Sequence, residues 1–276
     1  MQHDTATFLT TDGLTLFTRQ WTPTDPPRAT VLLVHGIHEH SGRYAYAASV
    51  LMTHGIEVRA FDLRGHGQSE GDRGTVESFD DYVDDLAGVH AAVQADAAGR
   101  PLFLMGHSMG GLIVARHTVL YGDAGMAGLV LSSPALQVDA PAPLRTLAPV
   151  LSRWLPNLPA SRVDLDALSR DPRVGRAYKE DPHCIVAGVK ARIGAEILAA
   201  VEAVRAHPEA FTVPLYLFHG TDDRLTNPDG TRWLADHPAS DDITLTLYPG
   251  LLHETMNEPE RDTVLEDLAA WIETHL

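Results

Sequence analysis

Short, mostly apolar runs recur along the chain: "TVLLVHG" (30–36), "IEVRAFD" (56–62), "PLFLMGHS" (101–108), "MAGLVLSSP" (126–134), "VPLYLFHG" (213–220) and "ITLTLYPG" (243–250). Runs this short and this continuous predict strands buried on both faces. Stretches of helical period lie between them, at Tyr44–His54, at 78–97, after Met109, and in the closing "DTVLEDLAAWIETHL". Ser78 is placed to cap the second of these, and the acids that follow suit the positive end of a helix dipole. At the N-terminus "ATFLT" and "LTLFTRQW" flank "TDG", which reads as a hairpin.

Alternating strands and helices predict an α/β fold: a mostly parallel central sheet with helices on both faces. The alternation breaks from about 135 to 211, where Pro, Arg and Ala are frequent and helices joined by loops are expected. This predicts a core of 1–134 and 212–276 interrupted by a helical cap of 135–211. In such sheets ligands bind beyond the carboxyl ends of the strands, so chemistry is sought there.

Composition narrows the function. The formal charge of -16 argues against nucleic acid and against docking on anionic membranes. One cysteine, Cys184, excludes an internal disulfide and reads as a buried small apolar residue. The start "MQHDTATFLTTDG" lacks the basic and apolar regions of a secretory signal. No apolar run approaches the roughly 20 residues of a membrane span. A soluble, cytoplasmic protein is expected.

Gly106-His107-Ser108-Met109-Gly110 fits G-x-S-x-G, and its context sharpens it. An apolar strand precedes it and a helix follows, so the serine sits on a tight turn with a protruding hydroxyl. A serine hydroxyl needs a base, and the base needs an orienting acid. His253 follows the last strand and is the candidate base. Asp222 and Asp223 follow the strand before it, and spacing alone does not choose between them. "HGIHEHSGRY" (35–44) packs three histidines and a glutamate into six positions. It matches neither H-E-x-x-H nor H-x-x-E-H, so no metal is expected there. "RGHGQSEG" lacks the last glycine of a dinucleotide loop, because position 70 is Glu.

Taken together, "HGIHEHSGRY", "FDLRGHGQSEGDR", "GHSMGG", "SSPAL", "HGTDDRL" and "YPGLLHETMNEP" resemble an α/β-hydrolase. More narrowly they are similar to the monoacylglycerol lipase and lysophospholipase group. The resemblance covers nearly the whole chain, the cap included, through "LPNLPASRVDLDALSRDPRV" and "ARIGAEILAAV". It implies Asp223 as the acid, as the fourth residue of Gly220-Thr221-Asp222-Asp223. It implies backbone N–H donors for an oxyanion at Ile37 and Met109. It places Glu39 and Arg43 at the polar end of the pocket, binding glycerol hydroxyls or pairing with each other. His35 is expected to be packed with its ring on nearby backbone, and Asp62 to bond backbone in its own loop.

The function expected on this basis is hydrolysis of a small lipid ester, a monoacylglycerol, without metal or cofactor. Lysophospholipase, short-chain carboxylesterase and thioesterase activities share the same machinery. A proline-releasing aminopeptidase would need an acidic anchor for the peptide amine. A non-catalytic binder of this fold would be expected to carry a degraded triad, whereas here every position is present. Leu144, Leu147, Val150, Leu151 and Trp154 form an apolar stripe in the cap. It is read as core first, then as acyl-channel wall or as a face for transient contact with lipid surfaces.

Overall fold

The computed structural model describes residues 2–139 and 142–276, apart from the side chains of 142–145 and 149. The hairpin forms as β1 (Gln2–Leu9) and β2 (Thr15–Thr22), joined by a turn in which Gly13 takes φ +92°. Then follow β3 (Ala29–Val34), α1 (Ala45–Thr53), β4 (Ile56–Phe61), α2 (Asp80–Ala97), β5 (Leu102–His107), α3 (Met109–Tyr121) and β6 (Gly128–Ser132). The interrupting segment carries α4 (Ala142–Trp154), β7 (Pro159–Ser161), α5 (Pro172–Glu180), β8 (Val189–Lys190) and α6 (Ala191–Arg205). The core resumes with β9 (Leu215–Gly220), α7 (Pro228–Ala235), β10 (Ile243–Tyr248) and α8 (Arg261–Glu273).

Eight strands form one sheet in the order β1-β2-β4-β3-β5-β6-β9-β10. β4, β3, β5, β6, β9 and β10 run parallel, and the hairpin closes one edge antiparallel. Every residue of β3, β5, β6 and β9 is buried. Successive side chains still go to opposite layers. Val31 and Leu33 join α1 and α8 on one face, while Leu32 and Val34 join α2 and α3 on the other. Ile193, Ile197, Val201 and Val204 of α6 enter this second layer, so the interrupting segment is fastened to the core.

Three local differences from the sequence expectation have physical causes. Phe79 is already helical, and Ser78 Oγ accepts the Asp80 N–H at 3.3 Å while Asp81 accepts the Ser78 N–H at 3.1 Å. The expected cap is thus present in capping-box form, one position before the helix boundary. The interrupting segment is not purely helical, because β7 and β8 pair antiparallel over two to three residues, too short to leave a period. α7 was not expected. "TNPDG" reads as a turn, yet Asn227 caps the Asp229 N–H at 2.9 Å and Pro228 takes the first helical position. Among the described residues no helix is long and apolar enough to cross a membrane.

Candidate active site

Ser108 lies between β5 and α3 with φ 55° and ψ −120°. A non-glycine residue there costs on the order of 1–3 kcal/mol and needs its surroundings to hold it. They do: Ser108 N–H donates to Ser132 O at 3.0 Å, and Ser108 O accepts from Leu112 and Ala135 N–H at 3.2 and 3.0 Å. The flanking glycines are steric necessities. A Cβ at Gly106 would collide with the Gly110 backbone, and one at Gly110 with the carbonyls of Val34 and His35.

β9 and β10 end beside this turn and deliver the other two groups. Asp223 Oδ2 accepts from His253 Nδ1 at 2.7 Å. Asp223 Oδ1 accepts the Leu225 and Thr226 N–H groups at 2.7 and 3.1 Å. Asp222 faces outward, and among the described residues its carboxylate accepts only the neighbouring Thr221 hydroxyl, at 3.0 Å. The adjacent acids, which spacing left open, are therefore separated by direction. Burial works against the Asp223 charge, but the histidines and hydrogen bonds around it win and hold its pKa well below the usual carboxylate range. Among the described residues no hydrogen bond joins Ser108 to His253, although both line one cavity.

His219 and Thr226 are functional neighbours that sequence reasoning missed. His219 Nε2 reaches the same Asp223 Oδ2 at 2.8 Å, and its Nδ1 accepts from the Thr231 hydroxyl at 2.7 Å. Burial lowers its pKa, so it is a neutral donor. Thr226 Oγ1 lies 2.8 Å from Oδ2 and 3.1 Å from Ser133 O. His219 is the second-to-last residue of the apolar run 213–220, in no special pattern, so only the fold reveals it.

The segment after β3 folds against the serine. A Cβ on Gly36 would stand 3.2 Å from Ser108 Cβ. Glu39 Oε1 accepts the Gly36 N–H at 2.6 Å and the Tyr44 hydroxyl at 2.7 Å. Glu39 Oε2 accepts from Arg43 at 2.5 Å, and Arg43 makes a second, bidentate pair with Glu254 at 2.7 and 2.8 Å. Of the two roles open to Glu39 and Arg43, the structure forms the pairing, and it adds Glu254. His35 donates from Nδ1 to Gly36 O at 2.7 Å and accepts the Leu63 N–H on Nε2 at 2.9 Å, so it is a packed, neutral ring. Asp62 accepts the Ser41 and Gln68 N–H groups, both at 2.9 Å.

Gly36, Ile37, Ser108, Met109 and His253 line the polar end of a cavity of about 270 Å³. Its other walls are mostly apolar, from α4, α6 and the loops between them, including Ala148, Leu151 and Leu198. The expected cap stripe splits. Leu151 turns to the cavity, while Leu147, Val150 and Trp154 are 52, 54 and 73% exposed. Leu151, four positions from Leu147, stands at the edge of this stripe and reaches the cavity, while the middle of the stripe faces outward. The Leu144 side chain lies outside those described.

The model of the family described as serine aminopeptidase, S33, matches residues 25–260. The chain belongs to this family of α/β-hydrolases. The hydrolase is 39% identical to a monoacylglycerol lipase of Mycolicibacterium smegmatis over 93% of its own length and 92% of the relative. It is 38% identical to human monoglyceride lipase over 95 and 88%. The crystal structure of a Paleococcus ferrophilus monoacylglycerol lipase superposes with a TM-score of 0.81 at 31% identity, over the full length of both chains.

One group in this hydrolase has metal-ligand types close together: His40, Asp181 and Cys184, with ligand atoms within 4.8 Å of one another. It does not fit a metal as arranged. His40 Nδ1 accepts the Gly42 N–H at 3.2 Å, so the ring proton sits on Nε2 and goes to Asp181 at 3.0 Å. A ligating Nε2 would need the opposite tautomer. Cys184 packs with Leu168 and Tyr178, and burial pushes its thiol up to about 12.

Proposed function

We propose that the protein hydrolyses carboxylic esters, monoacylglycerols foremost, through an acyl-enzyme on Ser108. One observation carries this reading: a strained Ser108, the buried Asp223–His253 pair and the Ile37 and Met109 backbone meet at the polar end of a mostly apolar cavity. The similarity to named monoacylglycerol lipases over most of the chain supports the substrate class.

In this reading Ser108 Oγ attacks the ester carbonyl while His253 Nε2 takes its proton. Asp223 keeps the imidazole N–H on Nδ1, leaving Nε2 free to act as base. The serine–histidine contact closes when substrate binds, as is common in unliganded sites. The N–H groups of Ile37 and Met109 hold the oxyanion. The ester C–O bond then breaks, and His253 passes the proton to the departing glycerol oxygen. Water attacks the acyl-enzyme, gives its proton to His253, and the proton returns to Ser108 as the fatty acid leaves. Residues 135–211 act as the cap that walls the acyl chain, on a core of 1–134 and 212–276. Glu39 and Glu254 offer the glycerol hydroxyls a polar wall, braced by Arg43. The exposed Leu147, Val150 and Trp154 give the cap a face for transient contact with lipid surfaces. The single unpaired cysteine supports a cytoplasmic setting, which cell fractionation tests.

The test is fatty-acid release from a monoacylglycerol, a triacylglycerol, a lysophosphatidylcholine and a p-nitrophenyl ester at matched concentration, as monomers and as emulsion. The monoacylglycerol is expected to turn over fastest, and faster still as emulsion. A lead for the lysophospholipid or the short ester keeps the mechanism and replaces the substrate.

pH gives a second test. Burial disfavours the His253 imidazolium, but the Asp223 carboxylate, with Glu254 and Glu39 nearby, more than offsets it and raises the pKa above its ordinary 6.5. The base must be neutral, and a raised pKa keeps it protonated to higher pH. The acid limb of kcat/KM is therefore expected to have its midpoint above 6.5. A midpoint below that value contradicts the raised pKa of His253.

A further inference from the structure

His38, directly after the Ile37 N–H, is buried with φ +63°. A histidine in this left-handed region is strained and stays there only when held. The holders come from the interrupting segment. The His38 carbonyl accepts the Tyr178 hydroxyl of α5 and the Ile185 N–H that follows it, each at 2.8 Å. Tyr178 is 3% exposed, and Arg43 stacks on its ring, 4.9 Å from the centroid. Arg43 is in turn bound to Glu39, which accepts the Gly36 N–H. The turn 36–38 is thus pinned on both sides of Ile37: by Glu39 before it, from the core, and by Tyr178 and Ile185 after it, from the cap.

We propose that Tyr178 is a positioning residue for the reaction: its hydroxyl fixes the His38 carbonyl and thereby aims the Ile37 N–H at the oxyanion. This rests on the reading of Ile37 as an oxyanion donor. The consequence is a coupling between cap and chemistry. When α5 sits as it does here, the donor is formed. When α5 moves away, His38 loses two bonds and is free to leave its strained conformation, and the donor turns with it. A closed cap then both encloses the acyl chain and completes the machinery.

Tyr178→Phe tests this, because it removes one oxygen and keeps the ring, its burial and the Arg43 stacking. The substrate is p-nitrophenyl butyrate, whose leaving group has no glycerol hydroxyls to contact Tyr178. The expected result is a fall in kcat of about tenfold, less than the loss of a whole donor, with KM within about twofold. Inhibition by butylboronic acid, whose Ser108 adduct places an oxygen between the two donors, is expected to weaken by the same factor. The melting temperature is expected to stay within about 2 °C. Unchanged kcat and boronate affinity overturn the proposal. So does a loss confined to KM for monoacylglycerol, which would make the hydroxyl a substrate contact. If wild type and Ser108→Ala are equally inactive on every ester, the serine-hydrolase reading fails and this inference falls with it; if wild type is active and Tyr178→Phe matches it, this inference alone fails.

Discussion

Ser108→Ala is expected to lower kcat by about a millionfold, to the limit of detection, with a melting temperature within about 2 °C of wild type. Without Oγ no acyl-enzyme forms, and the oxyanion donors can assist only direct attack by water. Stability is preserved for a specific reason. The hydrogen bonds that hold the elbow, to Ser132, Leu112 and Ala135, are all made by the Ser108 backbone. Alanine keeps them and has the same difficulty with φ 55° as serine. Ser108→Gly separates strain from chemistry: it is expected to be equally inactive but more stable by about 1 kcal/mol, because glycine takes positive φ freely. Kinetics with p-nitrophenyl butyrate and calorimetry on both variants check this. Residual turnover of even one percent in the alanine variant would place the nucleophile elsewhere.

The strands and the strained turn at Ser108 were legible because their signals are local. β3, β5, β6 and β9 are short apolar runs with abrupt polar or glycine ends, and Ser108 stands at one of those ends between glycines that no other residue can replace. The position of His253, just after the last strand, was legible from chain order alone. The rest depends on contacts between distant segments. Asp222 and Asp223 differ in sequence by nothing; they differ in space because the Asp222 N–H is tied to Leu251 O at 3.0 Å while Asp223 turns in under His253. Glu254 became part of the site only through Arg43, 211 positions away. The stripe of α4 shows the limit of periodicity: it says which residues share a side, and only packing says whether that side meets a cavity or water.

The two acids yield the second large effect. Asp223→Asn is expected to cut kcat by about ten-thousandfold while the protein stays folded, and Asp222→Asn to leave kcat within about twofold. The hydrogen bonds dictate how an amide would sit at 223. Oδ1 accepts two backbone N–H groups, from Leu225 and Thr226, so the amide oxygen must take that place. The NH2 then replaces Oδ2 and points donors at His253 Nδ1 and His219 Nε2. Both rings can accept by shifting a proton. His219 does so at little cost, since its Nδ1 then donates to the Thr231 hydroxyl, which can rotate. For His253 the shift is disabling: its proton moves to Nε2, the nitrogen that must take the proton from Ser108. The fold tolerates the amide and the chemistry does not, so loss of rate without loss of melting temperature is the signature to measure. The Asp222 carboxylate has no such constraint: it is exposed, and among the described residues its one hydrogen bond is from the Thr221 hydroxyl. If Asp222→Asn is the crippled variant and Asp223→Asn turns over normally, the orienting acid is Asp222, and the 2.7 Å contact between Asp223 and His253 is structural alone.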